Sequence, residues 1–250
     1  MPNVREWDGA SYDRVSAPQQ AMGRKVLSRL ALDGDELVLD AGCGTGRVTE
    51  MLLERLPRGR VIAVDASPSM VQVARQRIGG RVDVRELDLL ELELEEPVDA
   101  IFSTATFHWI ADHDTLFARL RAALRQGGRL VAQCGGEGNV QRLHGVARDV
   151  AAEAPFAAQL RDWTGPWNFS SADLARRRLL AAGFSQARCW LEPAPAQPPQ
   201  PREFLRTVLL GPFLQQLPRQ LREPFVAAVH ERLGEPLSVD YVRLNIDAEA

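Results

Sequence analysis

Lysine is almost absent from this 250-residue chain: Lys25 is the only one, so the other basic side chains are arginines. Cations do not dominate either. Lys and Arg number 30 against 33 Asp and Glu, a net charge of -3, which argues against a dedicated nucleic-acid protein with its usual basic footprint. Cysteine is scarce. Cys43, Cys134 and Cys189 have no paired spacing and make neither a disulfide framework nor a zinc site, so a reducing cytosol is the expected setting. Long apolar runs are missing: no uncharged stretch approaches the ~20 residues that span a bilayer. Met1 to Ala10 holds Arg5, Glu6 and Asp8 where a signal peptide needs an apolar core. A cytoplasmic protein with neither a membrane nor a nucleic-acid partner is expected. What is present, 45% hydrophobic and 25% charged residues, is the composition of a folded globular chain.

Strand and helix patterns alternate through the first half. Glu36 to Ala41, Arg60 to Asp65, Val82 to Leu87, Val98 to Thr104 and Arg129 to Cys134 read as short buried strands. Thr49 to Leu56, Pro68 to Ile78 and Asp114 to Leu124 read as the helices between them, the second with Ser67 as N-cap and proline at its first position. Such alternation implies parallel strands joined by right-handed crossovers, an α/β doubly wound sheet that binds ligands at the carboxyl ends of its strands. The second half is less regular. Helix is expected over Asn139 to Leu160 and over Ser171 to Ala182, the latter capped by Ser170 or Ser171. A strand follows at Ala187 to Leu191, then an extended proline-rich connector at Pro193 to Pro201. Arg202 to Leu233 is helical with breaks near Gly211-Pro212 and Pro218, and Leu237 to Ala248 returns to a strand pattern. His113, His144 and His230 have no partner pattern and are expected at the surface.

The strongest motif is Asp40-Ala41-Gly42-Cys43-Gly44-Thr45-Gly46, which leaves the first strand and enters a helix. Glycines there allow a tight turn and close approach of backbone to ligand. Asp65 ends the next strand, where a carboxylate can accept from both hydroxyls of a ribose. The spacing is G-x-G-x-G, not the dinucleotide fingerprint, and the acid Asp40 precedes it. A carboxylate there repels a pyrophosphate and attracts an ammonium, so the pattern favours an adenosyl ligand with a cationic tail over NAD.

With these motifs the chain resembles the class I S-adenosyl-L-methionine-dependent methyltransferases. The residues that carry the likeness are LVLDAGCGTG (37–46), VIAVDASPSM (61–70), LDLLEL (87–92), FSTATFHWIAD (102–112) and GGRLVAQ (127–133). The resemblance implies one domain over 1–250 with a Rossmann-like, seven-stranded, mostly parallel sheet, an antiparallel last strand and a helical cap. Its parts would be an N-terminal lid and first helix (1–30), a cofactor-binding core (36–135), cap helices (137–236) interleaved with a late strand (187–191), and a C-terminal strand (237–248). It also implies that Gly42, Gly44 and Gly46 line the methionine part of the cofactor, with Asp40 near its ammonium. Asp65 would hold the ribose, Ala66 and Met70 would pack on the adenine, and Asp88 would accept from the adenine amino group beside the Leu89 N–H. Ser103 and Ala105 would face the methionine end.

A closer resemblance is to the trans-aconitate methyltransferases and related small-molecule carboxyl methyltransferases. It rests on Trp7 to Arg14 followed by Gln19-Gln20, on Phe107 to Asp112, and on the C-terminal layout of Trp163 to Phe169, Ala182-Gly183-Phe184, Leu217-Pro218 and Asp240 to Leu244. It implies that Tyr12 closes over the cofactor, and that Trp109 with Gln19, or Gln20 in an equally legal register, hydrogen-bonds a substrate carboxylate. Trp7 and Trp167 are weaker candidates for pocket walls. His108 is either a general base or a residue oriented by the turn, and a carboxylate acceptor needs no base. Alternation in the last strand puts Arg243 on one face with Tyr241 and Asn245, either clamping a di- or tricarboxylate or facing solvent. The expected reaction is methyl transfer to a small-molecule carboxylate. The competing readings are a carrier-bound malonyl group, with an acyl carrier protein as partner, or a hydroxyl deprotonated by His108. More distant are an NAD-dependent oxidoreductase and a non-catalytic relative.

Overall fold

The computed structural model describes Gly9, Asp13 and residues 17–250, with the side chains of Asp13 and of Gln20 onward. Helix α1 spans Ala17–Leu27. The sheet then builds through β1 (Leu37–Ala41), β2 (Arg60–Asp65), β3 (Asp83–Glu86), β4 (Val98–Thr104) and β5 (Leu124–Gly135). Helices α2 (Arg47–Glu54), α3 (Pro68–Ile78) and α4 (His113–Ala123) lie between strands. The later elements are α5 (Gln141–Ala151), α6 (Ala157–Leu160), α7 (Ala172–Ala181), β6 (Gln186–Pro193), α8 (Pro201–Phe204), a π-helical turn (Leu205–Leu209), α9 (Gly211–Gln216), α10 (Arg219–Leu233) and β7 (Val242–Glu249).

The seven strands run in the order β3-β2-β1-β4-β5-β7-β6. β1 to β5 pair in parallel, and β7 is antiparallel to both of its neighbours. The order reverses between β1 and β4, which opens a crevice at their carboxyl ends. The inner strands β1, β2 and β4 are apolar on both faces, as strands covered by helices on both sides must be. Leu39, Ile62 and Ile101 pack under Leu116 and Phe117 of α4. Val38, Ala63 and Phe102 face the opposite way, against Leu52 of α2 and Val71 of α3. A third cluster lies outside the sheet, where Leu143, Ala147, Phe204, Phe213, Phe225 and Val229 bind α5 to the later helices.

Several boundaries differ from the sequence pattern. The last strand begins at Val242, not Leu237: Val239 pairs with Ala196 in an isolated bridge, so 237–241 crosses the cap instead of extending the sheet. The late strand is longer, 186–193, and its terminal Pro193 is tolerated because β6 is an edge. The long helix expected over 139–160 is interrupted after Ala151. The two possible caps of α7 are resolved in favour of Ser171, whose Oγ accepts from the Leu174 N–H at 3.3 Å, while Ser170 is buried. Ser171→Ala should therefore cost about 0.5–2 kcal/mol, with most of it restored in Ser171→Asp, read as shifts of the urea midpoint.

Candidate active site

The crevice is a cavity of about 690 Å³ running from the loop after β1 to the first residues of β7. At one end the glycine loop turns back on the sheet. Gly42 and Cys43 donate to the Val64 carbonyl at 2.8 and 2.9 Å. Gly42 has φ +88°, and a Cβ there would lie 2.1 Å from the Thr106 hydroxyl, so conformation and space both exclude any other residue. Asp65 is oriented by two backbone donors: its Oδ2 accepts from Gly44 N–H and its Oδ1 from Ser67 N–H, each at 2.9 Å. Ala66 and Met70 follow along the wall. Asp88 Oδ1 accepts from Leu90 N–H at 3.0 Å, which closes the turn over Leu89–Glu91 and sets Asp88 and Leu89 at the cavity edge.

Asp40, Gly46 and Ser103 do not line this space. Ser103 Oγ donates to the Ala41 carbonyl at 2.6 Å, and Gly46 packs toward Ile78. Asp40 is buried behind the loop, where its Oδ2 accepts from the Thr49 hydroxyl at 2.7 Å. Burial raises its pKa to about 7, with Thr49 opposing and the nearby Asp65 charge adding.

The other end is built by the turn after β4. Ala105 has φ +57°, a strained conformation for a residue with a Cβ, and sends the chain into the turn Phe107–Trp109. That turn is pinned from three sides. His113 Nε2 meets the Phe107 carbonyl at 2.9 Å, Asn168 N–H donates to the His108 carbonyl at 2.9 Å, and Gly135 N–H donates to His108 Nδ1 at 3.3 Å. The last bond fixes the tautomer: Nδ1 is an acceptor, so in the neutral ring Nε2 carries the proton. His108 ring lies 5.8 Å from Phe169, and Trp109 lies 6.2 Å from Trp167, which reaches the cavity because Gly165 lets the chain fold back. Arg243 is 4% exposed, lines the cavity, and lies over the Tyr241 ring at 5.5 Å.

Of the acceptor-side residues expected from sequence, His108, Trp109, Trp167 and Arg243 therefore share one cavity end. Gln20 does not line it, although Met22 of the same helix does. Trp7, Tyr12 and the side chain of Gln19 lie outside the described residues. The alternation expected in β7 holds, but Arg243 faces the cavity, not solvent.

The surface placement expected for two histidines is wrong. His113 is 1% exposed and supports the turn, and His144 is 4% exposed and lines the cavity, its ring 4.2 Å from that of Trp167. Burial lowers the His144 pKa to about 4, so it is neutral at physiological pH. The helical spacing from Val140 through Leu143 and Ala147 puts position 144 on the buried face, and that signal was there to be read. Asn139 and Phe169 also line the cavity and had no sequence signal of their own.

A glycine loop at a topological switch point, with a carboxylate at the end of β2, defines the class: a methyltransferase that uses S-adenosyl-L-methionine. The methyltransferase-domain family model matches residues 38–128. The chain is 31% identical to the trans-aconitate 2-methyltransferase of Methylobacterium nodulans, over 93% of this chain and 90% of that protein. It is 30% identical to the one from Acidovorax sp. strain JS42, with 93% and 90% covered. Among solved structures it is similar to the YcgJ protein of Bacillus subtilis, with a TM-score of 0.63, 16% identity, and 92% of this chain and 97% of that one covered. It is also similar to phosphoethanolamine N-methyltransferase 2 of Haemonchus contortus, solved with S-adenosyl-L-methionine, with a TM-score of 0.62, 19% identity, and 97% and 56% covered. The chain belongs to the trans-aconitate 2-methyltransferase family. Among the described residues, no helix is long and apolar enough to cross a membrane.

The buried Asp40 makes stability depend on pH. Between about pH 4 and 7 the folded chain keeps a proton that the unfolded chain has lost, so stability from this group falls as pH rises through that window. Asp40→Asn should be more stable than the parent at pH 8, by roughly 2–4 kcal/mol, and should lose that advantage at pH 4.5, in paired urea titrations.

Proposed function

We propose that this cavity transfers a methyl group from S-adenosyl-L-methionine to a small-molecule carboxylate, as the names of its curated relatives indicate for them. The observation that supports it most is the His108–Gly135 hydrogen bond, at 3.3 Å. It occupies the ring's lone pair, so His108 presents an N–H donor and not a base. Among the described residues, His144 is held neutral by burial, with a pKa of about 4, and Asp40 lies behind the loop, so neither is placed to act as a base. A hydroxyl or amine acceptor usually needs a base, whereas a carboxylate is already ionised. That ranks the hydroxyl alternative below a carboxylate acceptor.

The residues present fit the cofactor. The Gly42 cradle would be filled by a Cβ, and Asp65 and Asp88 offer acceptor oxygens along one wall of the cavity. In this reading Asp65 holds the ribose hydroxyls. Ala66 and Met70 pack on the adenine, Asp88 with the Leu89 N–H reads its edge, and the backbone at Gly42 and Gly44 holds the methionine part. Bound S-adenosyl-L-methionine supplies a methyl group on a positively charged sulfur, which becomes a neutral thioether when an acceptor oxygen takes the methyl. Asp40 braces the loop from behind through the Thr49 hydroxyl without touching the ligand. Arg243 pairs with the acceptor carboxylate, and the N–H groups of His108 and Trp109 orient its oxygens. Trp109, Trp167 and Phe169 exclude water, so that the carboxylate oxygen is aligned and partly desolvated for in-line attack.

Asp65→Ala should weaken S-adenosylhomocysteine binding by about 1–3 kcal/mol in calorimetry, and an unchanged dissociation constant would remove the ribose assignment. The second expectation concerns pH. With an acid as acceptor, kcat/KM should stay flat from pH 6.5 to 9. His108→Phe should lower it by about tenfold, the worth of one hydrogen bond to a charged group, without changing that profile. A limb titrating near the histidine pKa in the parent and lost in His108→Phe would favour a base.

A further inference from the structure

We propose that the acceptor carries a single carboxylate on a bulky apolar body, and is not a di- or tricarboxylate. The inference rests on the carboxyl-methylation reading above and departs from the tricarboxylate in the names of the relatives.

Charge is the first argument. Among the described residues that line the cavity, Arg243 is the only one with a permanent positive charge. It is buried at the far end from the glycine loop, and its guanidinium lies against the Tyr241 ring at 5.5 Å, so it can fork onto one carboxylate. The two imidazoles nearby do not add charge. His108 has Nδ1 bonded by Gly135 N–H, and His144 is held neutral by burial among rings. The remaining charged lining groups, Asp65, Asp88 and Asp112, are all acidic. Among the described residues, a second or third carboxylate would thus find no further cation lining the cavity and would meet like charges along the way. A buried ionised group without a partner is one of the most costly arrangements available.

The walls are the second argument. Trp109 and Trp167 lie 6.2 Å apart, and Trp167 stacks toward Phe169 at 6.4 Å and 19°. Val208 and Leu209, from the π-helical turn, line the same space. These surfaces return free energy only to an apolar partner. A compact, multiply charged acid would leave them wet. An acid with an aromatic ring or a medium-length alkyl chain would cover them while its one carboxylate met Arg243, with the N–H groups of His108 and Trp109 beside it.

The full chain should be assayed at saturating S-adenosyl-L-methionine with indole-3-acetate, 3-phenylpropanoate, octanoate and trans-aconitate. The best of the three monocarboxylates should exceed trans-aconitate in kcat/KM by at least tenfold. Arg243→Gln should raise its KM and lower kcat/KM by a hundredfold or more, with S-adenosylhomocysteine affinity within twofold of the parent. Arg243→Lys should recover part of the loss. A preference for trans-aconitate, or equal rates, overturns the proposal and leaves carboxyl methylation standing. Turnover of none of the four acids, with S-adenosylhomocysteine still bound, overturns both.

Discussion

The ends of β1 and β4 are tied together by two hydrogen bonds. Ser103 Oγ donates to the Ala41 carbonyl at 2.6 Å, and the Thr106 hydroxyl reaches the Gly42 carbonyl at 3.2 Å. The glycine loop and the His108–Trp109 turn leave the sheet from these two strands, so the bonds fix the separation of the two halves of the cavity. Gly42 must lack a side chain for Thr106 to come so close. Ala105 must take a left-handed conformation to make room for the turn, at a cost of order 1–3 kcal/mol that the surrounding packing offsets. Alignment is most of what an enzyme contributes to an in-line displacement. A donor site and an acceptor site tied to adjacent strands meet that need with little freedom to drift.

Charge is unevenly placed along the cavity, with the acidic Asp112 also on its wall. Asp65 and Asp88 sit at the glycine-loop end with Asp40 buried behind them, and Arg243 sits at the other. Under the proposed function, a cationic donor and an anionic acceptor would each be drawn to the opposite sign, so this charge pattern would sort the two substrates before any specific hydrogen bond forms. Burial strengthens this sorting and also makes it costly. Desolvation lifts the Asp40 pKa to about 7, so near neutral pH the group is partly protonated.

The cap has a core of its own. Phe204, Phe213, Phe225 and their neighbours pack apart from the two clusters on the sheet. Its Trp167, Phe169 and His144 are therefore set by helix packing and reach the cavity as a rigid wall. Asn168 joins this wall to the β4 turn, donating from its backbone to His108 and from its side chain to the Ala111 carbonyl at 2.9 Å. That joint brings Trp167 and Trp109 into one wall.

The glycine-loop end of the cavity was legible because its residues lie within a few positions of strand ends, and strand ends are set by short-range patterns. The Asp40 to Gly46 loop, Asp65 and Asp88 follow in order along the chain, and the parallel sheet brings such points together by its topology alone. Arg243 was legible as a face of β7, but whether that face met water or a cavity depended on which elements packed over it. His144 carried a helical spacing that marked it as buried, yet only the fold of the cap decided that it was buried beside Trp167 and not in plain core. The tautomer of His108 was beyond any reading of the chain, since the Gly135 N–H that fixes it comes from a strand 27 residues away. The amino-acid sequence alone determined the sheet, the glycine loop and the donor it favours, because these rest on local periodicity and turn chemistry. The acceptor end was decided by tertiary structure, because its charge, exposure and protonation depend on contacts between segments that are remote in the chain.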